Sequence, residues 1–252
     1  MAAGPMEQFE IHPIVPLEIG GIDISFTNSS LWMCIVVGSI SLFLILAASS
    51  RSVVPGRMQS IAELSYTFVG DMIRSSAGSA GLKFFPFIYG LFLFVLFANL
   101  FGLTPFIHAF TVTSHIIVTL ALALSVFLLV IVVGVWKHGF RFLKLFVPDV
   151  PWIMLPLLVP IEIISFLSRP LSLSVRLFAN MLAGHIMLSV FGGFVVSLAA
   201  AGGVLSILSI APLLAIIGVS ALEFLVAFLQ AYVFAILTCI YLNDALHLHD
   251  HH

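Results

Sequence analysis

At 252 residues, with 62% hydrophobic and 8% charged side chains and a mean hydropathy of +1.25, the chain is far from a water-soluble domain, where about a quarter of residues are charged. That composition excludes an ordinary aqueous enzyme and predicts an all-α membrane protein with about five membrane-embedded helices and one in-plane amphipathic helix. The formal net charge of -2 gives no ground for nucleic-acid binding, and none is expected.

Residues 1–30 carry Glu7, Glu10, Glu18 and Asp23 and no Lys or Arg. They lack the basic start and compact apolar core of a signal peptide and read as an outer-side segment of the mature protein. Residues 31–50 form the first apolar run long enough to cross a hydrocarbon core of about 30 Å. Over 57–77, Ile61, Leu64, Phe68 and Met72 recur at helical spacing, turned away from Ser60, Glu63, Thr67, Asp71 and Arg74, which predicts an amphipathic helix lying in the membrane plane. Residues 84–106 and 115–136 are two further spans. Basic residues gather as Arg51, Arg57, Arg74 and Lys83 and as Lys137, Arg141 and Lys144, while the N-terminus and the Thr104–Ser114 loop hold none. By the positive-inside rule the N-terminus is outside.

Residues 150–243 are expected to form a long, steeply tilted helical hairpin, its arms Leu171–Ala200 and Val204–Asn243 joined by a small turn at Ala201–Gly203. The second arm would be roughly 60 Å long, about twice the hydrocarbon thickness, so it must tilt steeply, bend near Pro212 and Gly218, or project. Prolines at 151, 156, 160 and 170 make bends expected in the lead-in to the first arm. Residues 244–252 form an inner-side tail. Cys34 and Cys239 lie in separate apolar runs and read as lone, buried thiols. No internal repeat of the kind that marks many secondary transporters is visible.

Between Pro151 and Leu242 the only charged residues are Glu162, Arg169, Arg176 and Glu223, with His185 the one imidazole. A charge at the bilayer centre costs roughly 3 kcal/mol on insertion scales, so such residues usually mark ion pathways or counter-ions. Glu162, Arg169 and Arg176 recur every seven residues, within about 40° of one stripe, and Asn180 extends it by a turn. His185 falls on the opposite face. On the second arm Glu223, Gln230, Leu237 and Tyr241 share a stripe, which makes Glu223 opposite His185 an expected pairing if the arms pack antiparallel. Carboxylate and imidazole can each bind and release a proton near neutral pH. Arginine stays protonated, so Arg176 suits a fixed positive charge beside a carboxylate that also repels a passing proton.

Structural alternatives stand beside these readings. Arg176 could snorkel or pair with Glu162 or Glu223; Arg169 and Glu162 could form a salt bridge or belong to an ion path; His185 and Gln230 could be satisfied core groups. His108 and His115 read as interface residues. His247, His249, His251 and His252 read as a solvated tail, so no metal or other cofactor is assigned.

The run Pro170-Leu-Ser-Leu-Ser-Val-Arg176-Leu-Phe-Ala-Asn180-Met-Leu-Ala-Gly-His185, with Glu223 and Leu229-Gln230-Ala-Tyr-Val-Phe, closely resembles subunit a of F-type ATP synthases. The resemblance extends through Phe97-Ala-Asn99-Leu-Phe-Gly-Leu-Thr-Pro105 and Tyr241-Leu-Asn-Asp-Ala and covers nearly the whole chain. It implies a non-catalytic stator that offers protons two offset half-channels beside a rotating c-subunit ring, with b-type peripheral stalk subunits and the rest of the ATP synthase as partners. It identifies Arg176 with the arginine that separates the half-channels, His185 and Glu223 with the outer half-channel, and Asn180 and Gln230 with neighbours of the arginine. Glu162 and Arg169 match positions toward the inner exit. Some members carry an acid where Gly102 stands, so no proton carrier is placed in that segment. The membrane implied is the bacterial plasma membrane, or alternatively the mitochondrial inner membrane. A self-contained proton-coupled transporter is the alternative function, and a purely structural anchor a second rival that would tolerate Arg176→Ala.

Overall fold

The computed structural model describes residues 12–16, 18–19, 22–23, 25–49, 55–103, 111–139 and 154–246. Hydrocarbon offers no partner to a backbone N–H or C=O, so a spanning segment must satisfy them internally, and the apolar runs are helical. Among the described residues five helical stretches are long and apolar enough to cross a membrane: Asn28–Ser49, Arg57–Gly102, Ile116–His138, Leu155–Ala201 and Ser206–Leu246.

Two short antiparallel strand pairs precede the helices: β1 (Pro13–Val15) with β4 (Phe26–Thr27), and β2 (Glu18–Ile19) with β3 (Ile22–Asp23). The sequence reading did not foresee them, since two- and three-residue strands leave no legible period. They deliver the chain into α1 (Asn28–Ser49), where Thr27 Oγ1 accepts the backbone N–H of Ser30 at 3.4 Å in the manner of an N-cap.

Helix α2 (Arg57–Gly81) outruns the expected 57–77, and Gly78, at φ 65°, kinks it in a conformation that favours glycine. Its buried face is Val69, Met72, Ile73, Ala77 and Gly81. The apolar stripe read from sequence is therefore divided: Met72 is buried, while Ile61, Leu64 and Phe68 are exposed. A 3-10 turn (Leu82–Phe84) leads into α3 (Phe85–Gly102), and a second one (Val112–Ser114) precedes α4 (Ile116–His138). The expected span 84–106 ends in residues outside those described.

The last part of the chain is a bent, hairpin-like helical pair, as expected, with different breakpoints. The first arm, α5 (Leu155–Ala201), is 47 residues of helix that runs on through Pro160 and Pro170, about 70 Å if straight. Gly202 and Gly203, at φ 70° and 60°, make the turn. The second arm is divided into α6 (Gly203–Leu208) and α7 (Ile210–Leu246). The break falls at Ser209 and not near Gly218, which lies within continuous helix; Pro212 occupies the first turn of α7, where the missing N–H costs no helical hydrogen bond.

The chain divides into two compact units. The first comprises the described parts of Met1–Phe43, Leu93–His115 and Leu177–Ala231, with Val95, Ala98, Asn99, Leu177, Met181 and Ala227 buried within it. The second comprises those of Leu44–Phe92, Ile116–Arg176 and Tyr232–His252. In it Val130, Phe166 and Ala245 form a buried cluster, and Thr119 and Ser174, both buried, join α4 to α5 by a hydroxyl contact of 3.1 Å. Cys239 is buried, as expected, but Cys34 is exposed. The reason lies in α1, which also exposes Leu31, Ile35, Leu42 and Ile45: its outer surface is apolar for contact with hydrocarbon, so an apolar run does not imply burial by protein.

Candidate functional site

In the first unit the polar residues singled out by sequence come together where α5 meets α7. Asn180 Nδ2 donates to Gln230 Oε1 at 3.4 Å, so the two amides tie the arms one turn beyond Arg176. Four residues beyond Asn180, Gly184 lies against Glu223. A Cβ added at Gly184 would lie 2.7 Å from Glu223 Cδ and 3.0 Å from Cγ, so only glycine lets the acid lie against the α5 backbone. Glu223 is 9% exposed and its Oε2 has no hydrogen-bond partner among the described residues.

His185, the next residue of α5, meets Thr111 instead: Nε2 lies 3.0 Å from Thr111 Oγ1, at the entry to the 3-10 turn before α4. His185 and Glu223 thus lie at successive positions of the α5 backbone, with the imidazole on the threonine hydroxyl and the carboxylate against the preceding glycine. Thr111 is itself set by close packing, since a Cβ at Gly102 would be 2.7 Å from Thr111 Cγ2. Gly102 therefore has a packing role, at the position where the sequence suggested no proton carrier.

Asn99 also belongs to this site. It is fully buried, and its Nδ2 donates at 3.3 Å to the carbonyl of Ala227, one turn beyond Glu223 on α7. Four buried polar atoms of this unit, Asn99 Oδ1, Thr113 Oγ1, Glu223 Oε2 and Gln230 Nε2, have no partner among the described residues. Glu223, Ala227 and Gln230 fall four and three residues apart, on one face of α7. A buried polar group without a partner costs about 1–3 kcal/mol, so two of them, Glu223 and Gln230, on one face of α7 point to a role other than packing.

The lower stripe separates into different environments in the second unit. Arg169 donates from Nη1 to Asp244 Oδ2 at 3.1 Å and its guanidinium lies 5.7 Å from the Phe166 ring centroid and 5.2 Å from that of Tyr241. The salt bridge expected as an alternative for Arg169 thus forms with Asp244, near the end of α7, and not with Glu162. Glu162 is half-buried. Arg176 is exposed and makes no salt bridge among the described residues, so the pair suggested with Glu162 in the same unit is not formed. Among the described residues no cluster of His, Cys, Asp and Glu could hold a metal ion. His108 and the four terminal histidines lie outside those residues.

Sequence reasoning named Arg176, Asn180, His185, Glu223 and Gln230, together with Glu162 and Arg169. It gave no part to Thr111, Gly184 or Asp244, and quoted Asn99 only for its resemblance. Thr111 could not be found from spacing, being 74 residues from His185. Gly184 carried a faint signal, as a glycine immediately before the one intramembrane imidazole.

A family model described as the ATP synthase A chain matches residues 30–243. The chain belongs to this family. Among its relatives, ATP synthase subunit a of Chelativorans sp. (strain BNC1) is 62% identical over 248 residues, covering 98% of this chain and 99% of that protein. Subunit a of Rhizobium meliloti (strain 1021) is 60% identical over 248 residues, covering 98% of each, and that of Sinorhizobium fredii (strain NBRC 101917 / NGR234) is 60% identical across the whole of both chains. Family membership thus extends beyond the arginine and histidine segment to the N-terminal third, where the strand pairs and α1 lie.

Proposed function

We propose that this chain is the proton-translocating subunit a of a bacterial F-type ATP synthase, a non-catalytic stator in the plasma membrane that offers two offset half-channels to a c-subunit ring. The observation that carries the reading is the contrast between two of its intramembrane charges, Glu223 and Arg176. Glu223 is buried against Gly184, whereas Arg176, near the middle of α5, is exposed and has no salt-bridge partner among the described residues. A permanent cation on an apolar surface calls for a carboxylate from outside the chain, and a c subunit supplies one.

A proton enters from the outer side through the region of His185 and Glu223, with Asn180, Gln230 and the open polar atoms of α3 and α7 as hydrogen-bonding stations. It neutralises a c-subunit carboxylate, which can then move into lipid without the cost of a buried charge. After nearly a full turn the carboxylate reaches the inner half-channel, near Glu162 and Arg169, and releases its proton. Arg176 favours that release by opposite-charge attraction and repels a proton attempting to pass straight through. Each proton crossing 100 mV supplies about 2.3 kcal/mol. Phosphoryl chemistry belongs to other subunits, as do the b-type stalk contacts that hold the stator still.

The test is proton flux in membrane vesicles bearing the assembled complex with Arg176→Ala. ATP-driven pumping is expected to vanish, and passive leak to rise once the catalytic head is removed. Coupled pumping at the wild-type rate would return Arg176 to a structural role and refute the mechanism.

A further inference from the structure

Away from the proton site, the second unit holds a cavity of about 330 Å³ where the 3-10 turn before α3 meets the last turns of α4 and α7. Its walls include Lys83, Phe84, Val133, Trp136, Lys137 and Leu246. We propose that this cavity binds the phosphodiester headgroup of an anionic phospholipid.

Charge is the first argument. Among the described residues the lining has two ammonium groups and no carboxylate. Lys137 Nζ donates to the Leu246 carbonyl at 2.8 Å, which fixes one ammonium at the wall and leaves two of its N–H donors for another acceptor. Lys83 is exposed and makes no salt bridge among the described residues. The acid nearest in sequence to Leu246, Asp244, is already engaged by Arg169 at 3.1 Å.

The surroundings select a lipid over a free anion. Trp136 is 89% exposed at the end of a span, the position where an indole lies at headgroup depth. Val133 and Phe84 make the wall apolar, and the flank of α4 leading away from the cavity exposes Leu128 and Val132, against which acyl chains would lie. The volume is at the lower end of small-molecule pockets, which run from about 300 to 1,000 Å³: room for a headgroup and not for a whole lipid. Basic pockets between helix ends are a recurrent form of anionic headgroup site.

The experiment uses the intact complex, reconstituted in phosphatidylcholine bilayers with a trace of diazirine-bearing phosphatidylglycerol or, in parallel, diazirine-bearing phosphatidylcholine. After irradiation, labelling is quantified on peptides covering 80–84 and 133–137. Phosphatidylglycerol is expected to label them about thirtyfold more than phosphatidylcholine, and Lys83→Gln to lower that labelling about fivefold, a surface lysine's usual effect on anionic lipid. Lys83→Gln is the decisive variant because Lys137→Gln also gives up the bond to Leu246. Equal labelling by the two probes, or labelling unchanged in Lys83→Gln, would overturn the proposal. So would suppression of labelling by millimolar inorganic phosphate, which indicates a free-anion site, or recovery of these peptides cross-linked to a neighbouring protein subunit in place of lipid.

Discussion

Replacing Gly184 with alanine tests the arrangement at Glu223 with a single methyl group. The added Cβ would stand 2.7 Å from Glu223 Cδ and 3.0 Å from Cγ, distances that no relaxed pair of carbons holds. Either the arms separate locally or Glu223 leaves its seat, and its 9% exposure gives the carboxylate little room to do so. Overpacking of this kind costs about 1–3 kcal/mol, so the native position of the carboxylate should lose occupancy by between fivefold and a hundredfold. ATP-driven proton pumping in inverted vesicles should fall within that range while the subunit still assembles, which immunoblotting of the purified complex would establish. The double variant Gly184→Ala/Glu223→Asp shortens the acid by one methylene and should recover part of the loss, giving a coupling energy above about 0.5 kcal/mol between the two positions. Full pumping in Gly184→Ala, or strictly additive losses in the double variant, would show that contact between Gly184 and Glu223 does not govern proton delivery.

Thr111→Val keeps the shape of the residue and removes the hydroxyl 3.0 Å from His185 Nε2. A lost neutral hydrogen bond of about 1 kcal/mol predicts a roughly fivefold fall in pumping, restored by Thr111→Ser; an unchanged rate would mean that other contacts position the imidazole. Arg169→Lys preserves the charge facing Asp244 but loses the planar group set over Phe166 and Tyr241. It should lower the temperature at which the complex dissociates, as Asp244→Asn should, because a lysine does not reproduce a stacked guanidinium. Equal thermal stability of Arg169→Lys and wild type would assign the whole effect to the ion pair.

The helical architecture was legible because hydropathy and length dominate in hydrocarbon: five stretches of the described residues are long and apolar enough to cross a membrane, and the last two form a bent, hairpin-like pair. What sequence could not give was the choice of neighbour. Helical spacing placed Arg169 and Glu162 on one stripe, yet Arg169 found Asp244, 75 residues away, since a long flexible side chain answers to packing across helices and not to its own stripe. Likewise Ile61, Leu64, Phe68 and Met72 formed one apolar stripe on paper, but Met72 is buried while Ile61 and Leu64 are more than half exposed, because an apolar side chain in a membrane protein has two acceptable solvents. The site residues themselves were visible because ionisable groups are so costly in this setting that each one stands out. Thr111 and Gly184, neutral and small, carry no such penalty and so leave no trace.

The exposure of Arg176 also bears on how the subunit comes into being. A newly inserted copy, before any neighbour arrives, would hold a full charge on a lipid-facing helix, drawing water and headgroups inward to solvate it. On the proposed function, that charge is masked only once a carboxylate from another subunit faces it, so the chain should persist longer in cells that make such a subunit than in cells that lack it.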